Sequence, residues 1–158
     1  MTIPDASQRV VDRGRDLGVE IDIHEFPEGT KTSADAAAAI GCELSAIAKS
    51  IVLTLDDSEQ VVVFASGDTR IDVAKMAAVA GAVSVRRATL EEAREATGFA
   101  PGGTPPFGYP GPVRVFADEA LRRHEVVWAA GGTPTTVFPI RLEDLVNAAG
   151  AQWVEVSE

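Results

Sequence analysis

Hydrophobic and polar positions change period several times along this chain, and each change marks an element. Val10, Val11 and Leu17 recur at near-helical spacing after Pro4 and halt at Gly18, predicting a helix from Asp5 to Leu17. Ile21 and Ile23 alternate with Asp22 and His24 as in a strand, ended by the turn-forming Pro27-Glu28-Gly29. Thr32-Ser33-Ala34-Asp35 has the form of a capping box opening an alanine-rich helix, which Gly41 closes. Two strand-like runs, Ala48 to Leu55 and Gln60 to Ser66, flank the polar Asp56-Asp57-Ser58-Glu59 and predict a hairpin.

Helices and short strands alternate from there. Asp72 is placed to cap a helix ending near Gly81, Val83 to Arg86 reads as a strand, and Thr89-Leu90-Glu91-Glu92 opens a helix that stops at Gly98. Between Gly98 and Pro112 lie five glycines and five prolines, the composition of a long loop. Strands are expected at Val113 to Phe116, Glu125 to Ala130, Thr135 to Phe138 and Gln152 to Val156. A short helix starts at Asp118, a Gly131-Gly132 turn follows, and a last helix covers Arg141 to Ala149. Several strand pairs are joined too tightly for parallel crossovers, which favours a mixed sheet over a doubly wound one.

Length and composition narrow the class. A chain of 158 residues, 46% hydrophobic and 24% charged, is expected to form one globular domain over residues 1–158. No apolar run approaches the roughly 20 residues of a membrane span, and the charged Met1 to Asp16 segment lacks a signal-peptide centre. A cytoplasmic location without membrane contact is the expectation. The single cysteine, Cys42, cannot form an intramolecular disulfide. Twenty-four acidic against fourteen basic residues give a net charge of −10, which argues against non-specific duplex or DNA binding. A nucleic-acid partner would have to be met locally, and Arg70, Lys75, Arg86, Arg87 and Arg94 cluster in one quarter of the chain. They form either a basic face or a solvated helical surface.

Three features carry candidate chemistry. Strand alternation aims Lys49 to the same side as Ile51, Leu53 and Leu55, so this cation either snorkels out or serves a pocket for negative charge or a carbonyl. Gly102-Gly103 lets the backbone approach a ligand while Pro105-Pro106 stiffens the exit, an arrangement that suits oxyanion or phosphate binding or a rigid connector. Ser66-Gly67-Asp68 ends a strand where it can line a cleft or make a tight turn. His24 and His124 stand without ligand-spaced companions, so neither a metal nor a cofactor is expected. No Ser/His/Asp set, Gly-Lys-Ser/Thr loop or dinucleotide fingerprint is present.

In order along the chain these pieces resemble the YbaK/ProX family, relatives of the editing domain inserted in bacterial prolyl-tRNA synthetases. The resemblance rests on His24-Glu25, the Thr32 to Gly41 helix, Ile47-Ala48-Lys49-Ser50-Ile51-Val52-Leu53, and Ser66-Gly67-Asp68 before Val73-Ala74-Lys75-Met76. It continues through the Gly-x-x-x-Pro at Gly102 and Pro106, Phe116-Ala117-Asp118-Glu119, Gly131-Gly132 and Leu142-Glu143-Asp144-Leu145. It implies an α/β domain of α+β type with a mixed, barrel-like sheet surrounded by helices, and a pocket between Lys49 and the Gly102 loop for the aminoacylated terminal adenosine. The implied catalytic residues are Lys49, Gly102 and Gly103. The implied substrate contacts are His24, Thr32, Ser66, Gly67, Asp68, Pro106, Asp118, Gly131 and Gly132.

The activity so implied is hydrolysis of the ester of a mischarged tRNA, with tRNA-Pro carrying alanine, cysteine, serine or threonine foremost. The partner is the aminoacyl-tRNA acceptor end, presented by prolyl-tRNA synthetase or an elongation factor. One departure bears on specificity. YbaK-like cysteinyl-tRNA deacylases tend to carry an acid shortly after the glycine turn, and Thr133-Pro134-Thr135-Thr136-Val137-Phe138 contains none. Backbone amides of Gly102 and Gly103 would stabilise the oxyanion, Lys49 would position a phosphate or the aminoacyl group, and water or the adenosine 2′-hydroxyl would attack. The rivals are a non-catalytic module that binds a small molecule or protein in the same pocket, and a general esterase.

Overall fold

The computed structural model describes residues 2–158. Its centre is the hairpin of β2 (Ala48–Leu55) and β3 (Glu59–Ser66), paired antiparallel from Ala48↔Ser66 to Leu55↔Glu59. Val61, Val62, Val63, Phe64 and Ala65 are all fully buried, so β3 has core on both faces and reads as an unbroken apolar run rather than an alternating one. The sheet order is β4-β2-β3-β5-β8, with β4 at Val85–Arg87, β5 at Val115–Asp118 and β8 at Gln152–Val154. β3–β5 and β5–β8 are parallel and the other pairs antiparallel, giving the mixed sheet expected from the short connections.

One face of this sheet, through Leu53, Leu55, Val61, Val63 and Phe116, packs on Met76 and Ala80 of α3 (Val73–Ala80). The other face, through Val62, Phe64 and Ala117, packs on Val127, Phe138 and Ile140 of a second sheet and on Leu145 of α5 (Leu142–Ala149). Helix α1 (Asp5–Asp16) adds Val10 to that core. The second sheet has the order β1-β7-β6, from β1 (His24–Glu25), β7 (Thr136–Arg141) and β6 (Val126–Ala130). The two sheets do not close into a barrel. Among the described residues their backbones pair at a single parallel bridge, Ile47↔Trp128, because a full ladder there would need β2 to extend beyond Ala48, where the chain instead turns through a 3-10 segment at Leu44–Ala46.

Boundaries shift where the local pattern is weak. The strand expected from Ile21 shrinks to two residues, because only His24 and Glu25 find partners, in Val137 and Thr136. The strands expected from Val83 and Val113 begin two residues later, at Val85 and Val115, where pairing with β2 and β3 starts. Helix ends follow their capping chemistry. Thr89 and Glu92 form the reciprocal capping box of α4 (Leu90–Thr97), and Thr32 caps α2 (Ser33–Ile40) by accepting from Asp35 N at 3.0 Å.

The outer edge of β2 positions the site. At its far end β4 pairs only with Leu53, Thr54 and Leu55, with Ala88 N donating to Val52 O at 3.1 Å. At its near end sits the Ile47–Trp128 bridge. Between them β2 has no partner strand among the described residues, and by strand alternation with Val52 the Ser50 amide and carbonyl point into the gap.

Candidate functional site

A pocket of about 120 Å³ occupies this gap. Its walls are the approach to α2 (Thr30, Lys31, Thr32, Ser33 and Ala36), the start of β2 (Ile47 to Ser50), Gly102 and Thr104 of the long loop, and Trp128, Ala129, Ala130 and Val137 of the second sheet. Ile47, Ala36, Val137 and Trp128 make an apolar floor, and the hydroxyl-bearing residues Thr30, Thr32, Ser33 and Thr104 are among the lining, whereas Ser50 lines the pocket with its own hydroxyl buried. Among the described residues no carboxylate, imidazole or thiol lines it. The N-terminus of α2 borders the space, so its dipole favours developing negative charge there.

Lys49 stands on the side of β2 that its spacing predicted and borders this pocket and a neighbouring hollow that also holds Ile51 and Leu53. Its ammonium donates to the Thr69 carbonyl at 2.8 Å. Partial burial pushes its pKa down, repulsion from Arg87 and Arg70 adds to this, and attraction to Asp68 opposes it.

Backbone geometry demands glycine in the loop. Gly102 has φ +84°, and a Cβ there would lie 2.8 Å from Cγ of Lys31, whose aliphatic stem covers it. A Cβ on Gly103 would lie 2.4–2.6 Å from the backbone of Thr133, so the loop lies flush on the turn after β6. The Gly103 amide is partly engaged, donating to Ala100 O at 3.3 Å, whereas the Gly102 amide has no protein acceptor among the described residues. Tyr109 donates to Pro105 O at 2.7 Å and fixes the loop's return.

Sequence reasoning passed over Lys31, Thr104, Trp128 and Ser50. Ser50 could have been found from its place beside Lys49, but nothing in the linear pattern brings Lys31 or Trp128 to the same space. The buried Ser50 hydroxyl has no partner of ordinary hydrogen-bond geometry among the described residues. It approaches the Tyr109 phenol, whose pKa is pushed up by burial despite that neighbour.

Of the residues expected to touch substrate, Thr32, with Lys49 and Gly102, lines the pocket. The others lie outside its wall. His24 is bonded to Asp22 at 2.9 Å and stacks edge-on against Trp128 from behind, at 5.2 Å. The buried Ser66 hydroxyl donates to Ser45 O at 2.6 Å, and Asp68 takes two bonds from Arg123, at 2.7 and 3.1 Å, which hold its carboxyl below the usual range. A Cβ on Gly67 would lie 2.5 Å from Leu44 O. This turn carries Thr69 and so presents the carbonyl that holds Lys49. Asp118, fully buried, accepts from Val156 N at 2.9 Å and Ala120 N at 3.3 Å, tying the C-terminal segment to β5. Gly131 and Gly132 pack tightly on Thr136 and on Ala6 of α1, and Pro106 is buried beyond the pocket. Cys42 sits among the apolar residues of α2, its thiol pushed up by burial. Among the described residues no three His, Cys, Asp or Glu side chains gather as metal ligands, and no helix is long and apolar enough to cross a membrane.

The aminoacyl-tRNA editing domain model matches residues 27–148, a span that runs from the approach to α2 through the Gly102 loop to α5. The chain belongs to the aminoacyl-tRNA editing domain family. This editing domain is 30% identical over 138 residues to the uncharacterized protein YwhH of Bacillus subtilis (strain 168), covering 87% of each chain. In structure it is similar to a protein provisionally assigned as a trans-editing enzyme for prolyl tRNA synthetase, with a TM-score of 0.92, 35% identity and 99% of both chains covered. It is also similar to the hypothetical protein APE2540, with a TM-score of 0.87 and 29% identity over 95% of this chain and 99% of that one.

Proposed function

We propose that this editing domain hydrolyses the ester between tRNA and a small, wrongly attached amino acid, with tRNA-Pro carrying alanine, serine, threonine or cysteine as the first substrates to try. The observation that carries the reading is the pocket at the β2 edge, where a cation, a free glycine amide and a helix N-terminus meet. Its volume is below the roughly 300–1,000 Å³ of sites for drug-sized ligands, which suits an aminoacyl group and excludes larger ones by size. The provisional assignment of its structural relative to prolyl tRNA synthetase editing supports the choice of tRNA.

The Gly102 amide donates to the carbonyl oxygen as it becomes an oxyanion, and the α2 dipole acts in the same direction. Gly103 holds the loop against Thr133 so that this donor stays in place. Lys49, held by Thr69, positions the terminal phosphate or the aminoacyl carbonyl. No basic side chain suited to taking a proton lines the pocket, so water attacks the ester carbonyl, its proton passes by way of the neighbouring ribose hydroxyl of the substrate to the departing ribose oxygen, and rate comes from orientation and charge stabilisation. Without a carboxylate in the lining, the substrate's α-ammonium is met by hydroxyls and by the Ser50 carbonyl.

Deacylation of alanyl-, seryl-, threonyl- and cysteinyl-tRNA-Pro tests this, with chelator present so that a trace metal cannot supply the activity. Release of at least one amino acid, with prolyl-tRNA-Pro untouched, is the expected result. Failure on the whole panel with retained amino acid or nucleotide binding would replace the hydrolase by a binding module.

A further inference from the structure

Seven of the fourteen cations of this acidic chain lie within ion-pair distance of a carboxylate among the described residues, exposed Arg15 with Asp12 among them. Lys75 pairs with Glu155, Arg86 with Asp57 and Glu92, Arg114 with Glu59, Arg122 with Glu119, Arg123 with Asp68 and Arg141 with Glu125. Lys49, Arg70 and Arg87 have no carboxylate partner within ion-pair distance among the described residues, and all three line one hollow of about 470 Å³. Its floor is apolar, from Ile51, Ile71 and Val73, the last 53% exposed. Glu158 is the one acidic residue lining it, and its amide is bonded to Arg70 O at 2.9 Å. Lys49 borders both this hollow and the pocket at the β2 edge.

Three cations without ion-pair partners border one space; burial first, and then repulsion from Arg87 and Arg70 against the attraction of Asp68, depresses the pKa of Lys49. Phosphate groups would remove that repulsion, and the apolar floor offers a surface for the ribose and base between them. We propose that the Lys49–Arg70–Arg87 hollow is a track for the single-stranded 3′ end of RNA, holding the phosphates that precede the terminal nucleotide. The track rests on the hydrolase reading for its direction, since the terminal aminoacyl group then enters the pocket and the strand leaves past Lys49. It gives a molecule of net charge −10 a local means of holding a polyanion.

Fluorescence anisotropy with a labelled RNA minihelix ending in single-stranded CCA, titrated from about 50 to 200 mM salt, tests the track. The double variant Arg70→Ala/Arg87→Ala should bind about tenfold more weakly at the low-salt end and lose roughly one to two units of the log–log salt slope. Arg86→Ala, which removes one charge already paired on the same strand as Arg87, should leave the slope unchanged. Glu158→Gln should tighten binding, a change of sign that damage to the fold would not produce. Thermal melts of all variants accompany the titrations. Wild-type slope in a folded double variant, or no RNA binding by the wild-type protein, overturns the track. Binding through Arg70 and Arg87 without deacylation of any charged tRNA leaves the track standing and removes the hydrolase reading instead.

Discussion

Arg86 and Arg87 are neighbours on β4, yet alternation sends them to opposite faces and to opposite uses. Arg86 donates to Asp57 at 2.8 Å and to both oxygens of Glu92 at 2.8 and 3.0 Å, while Glu92 also accepts from Thr89 N at 2.9 Å and Thr54 Oγ1 at 3.2 Å. That cluster is complete and ties α4 to the β2–β3 hairpin. Arg87 has no side-chain acceptor among the described residues and shares its hollow with Lys49 and Arg70. A saturated cluster holds the fold, whereas an unsaturated one stores repulsion that an incoming anion relieves. The two ends of β2 repeat the contrast, since β4 covers one end and the other is left open as the pocket wall.

Breaking the unsaturated side should have the largest effect. Lys49→Met keeps the stem and removes the charge, so deacylation should fall on the order of a hundredfold or more, comparable to loss of a key electrostatic donor. Stability should move the other way. The folded protein holds this ammonium below its ordinary pKa, so at neutral pH the protonated form is disfavoured by folding and its removal leaves Tm equal to or above that of wild type. Single-turnover rates beside thermal melts check both. A well-folded variant with normal turnover would exclude Lys49 from the reaction.

The loop glycines sharpen the contrast between chemistry and support. Gly102→Ala faces left-handed backbone strain of about 1 kcal/mol and a contact with the movable stem of Lys31, so the fold should survive while turnover drops about a hundredfold through the displaced amide. Gly103→Ala meets immovable Thr133 backbone and should cost about 1–3 kcal/mol of stability as well as activity. Equal losses of stability in the two variants would mean that the loop is only a connector.

What the chain alone reveals differs between these regions for a physical reason. The β2–β3 hairpin, the capped helices and the side on which Lys49 lies depend on period and on neighbours a few residues away, and all are legible. The long loop is legible as glycine and proline, but its seating on Thr133 depends on a contact between segments thirty positions apart. Ser66-Gly67-Asp68 is recognisable as a turn, yet that it clamps Lys49 through Thr69 instead of lining the pocket follows from the pairing of Asp68 with Arg123, 55 residues away. Trp128 joins the pocket wall because the second sheet meets β2 at Ile47, and Lys31 because its stem lies over Gly102.

A smaller effect is expected where the saturated cluster is weakened but its shape is kept. Thr89→Ala deletes half of the capping box and should lower stability by about 1 kcal/mol, a typical N-cap contribution, measured by denaturant unfolding. RNA binding and its salt slope should not change, because no part of this cap faces the hollow. A changed slope would show that the saturated and unsaturated clusters are coupled through β4.

The smallest effect isolates the charge of Glu92 from its hydrogen bonds. Bonds from Arg86, and then from Thr89 N, hold the carboxyl down at about 2, against an ordinary value of 4.5. Because the folded value lies below the unfolded one, the stabilisation is fully present above the ordinary value and fades as pH falls from there through about 2. The cluster is near the surface, so solvent screening keeps the contribution modest. Glu92→Gln keeps one oxygen to accept from Arg86 Nη1 and Thr89 N, gives up the second Arg86 bond because its amide nitrogen cannot accept, and carries no titrating proton. Wild type should therefore melt above the variant at about pH 6 and lose that lead as pH drops towards about 3, where the two curves approach each other. Melting temperatures taken across this range decide it. Parallel curves would mean that the ion pair of Arg86 and Glu92 adds nothing beyond its hydrogen bonds, and that saturation on this side of β4 is a matter of geometry alone.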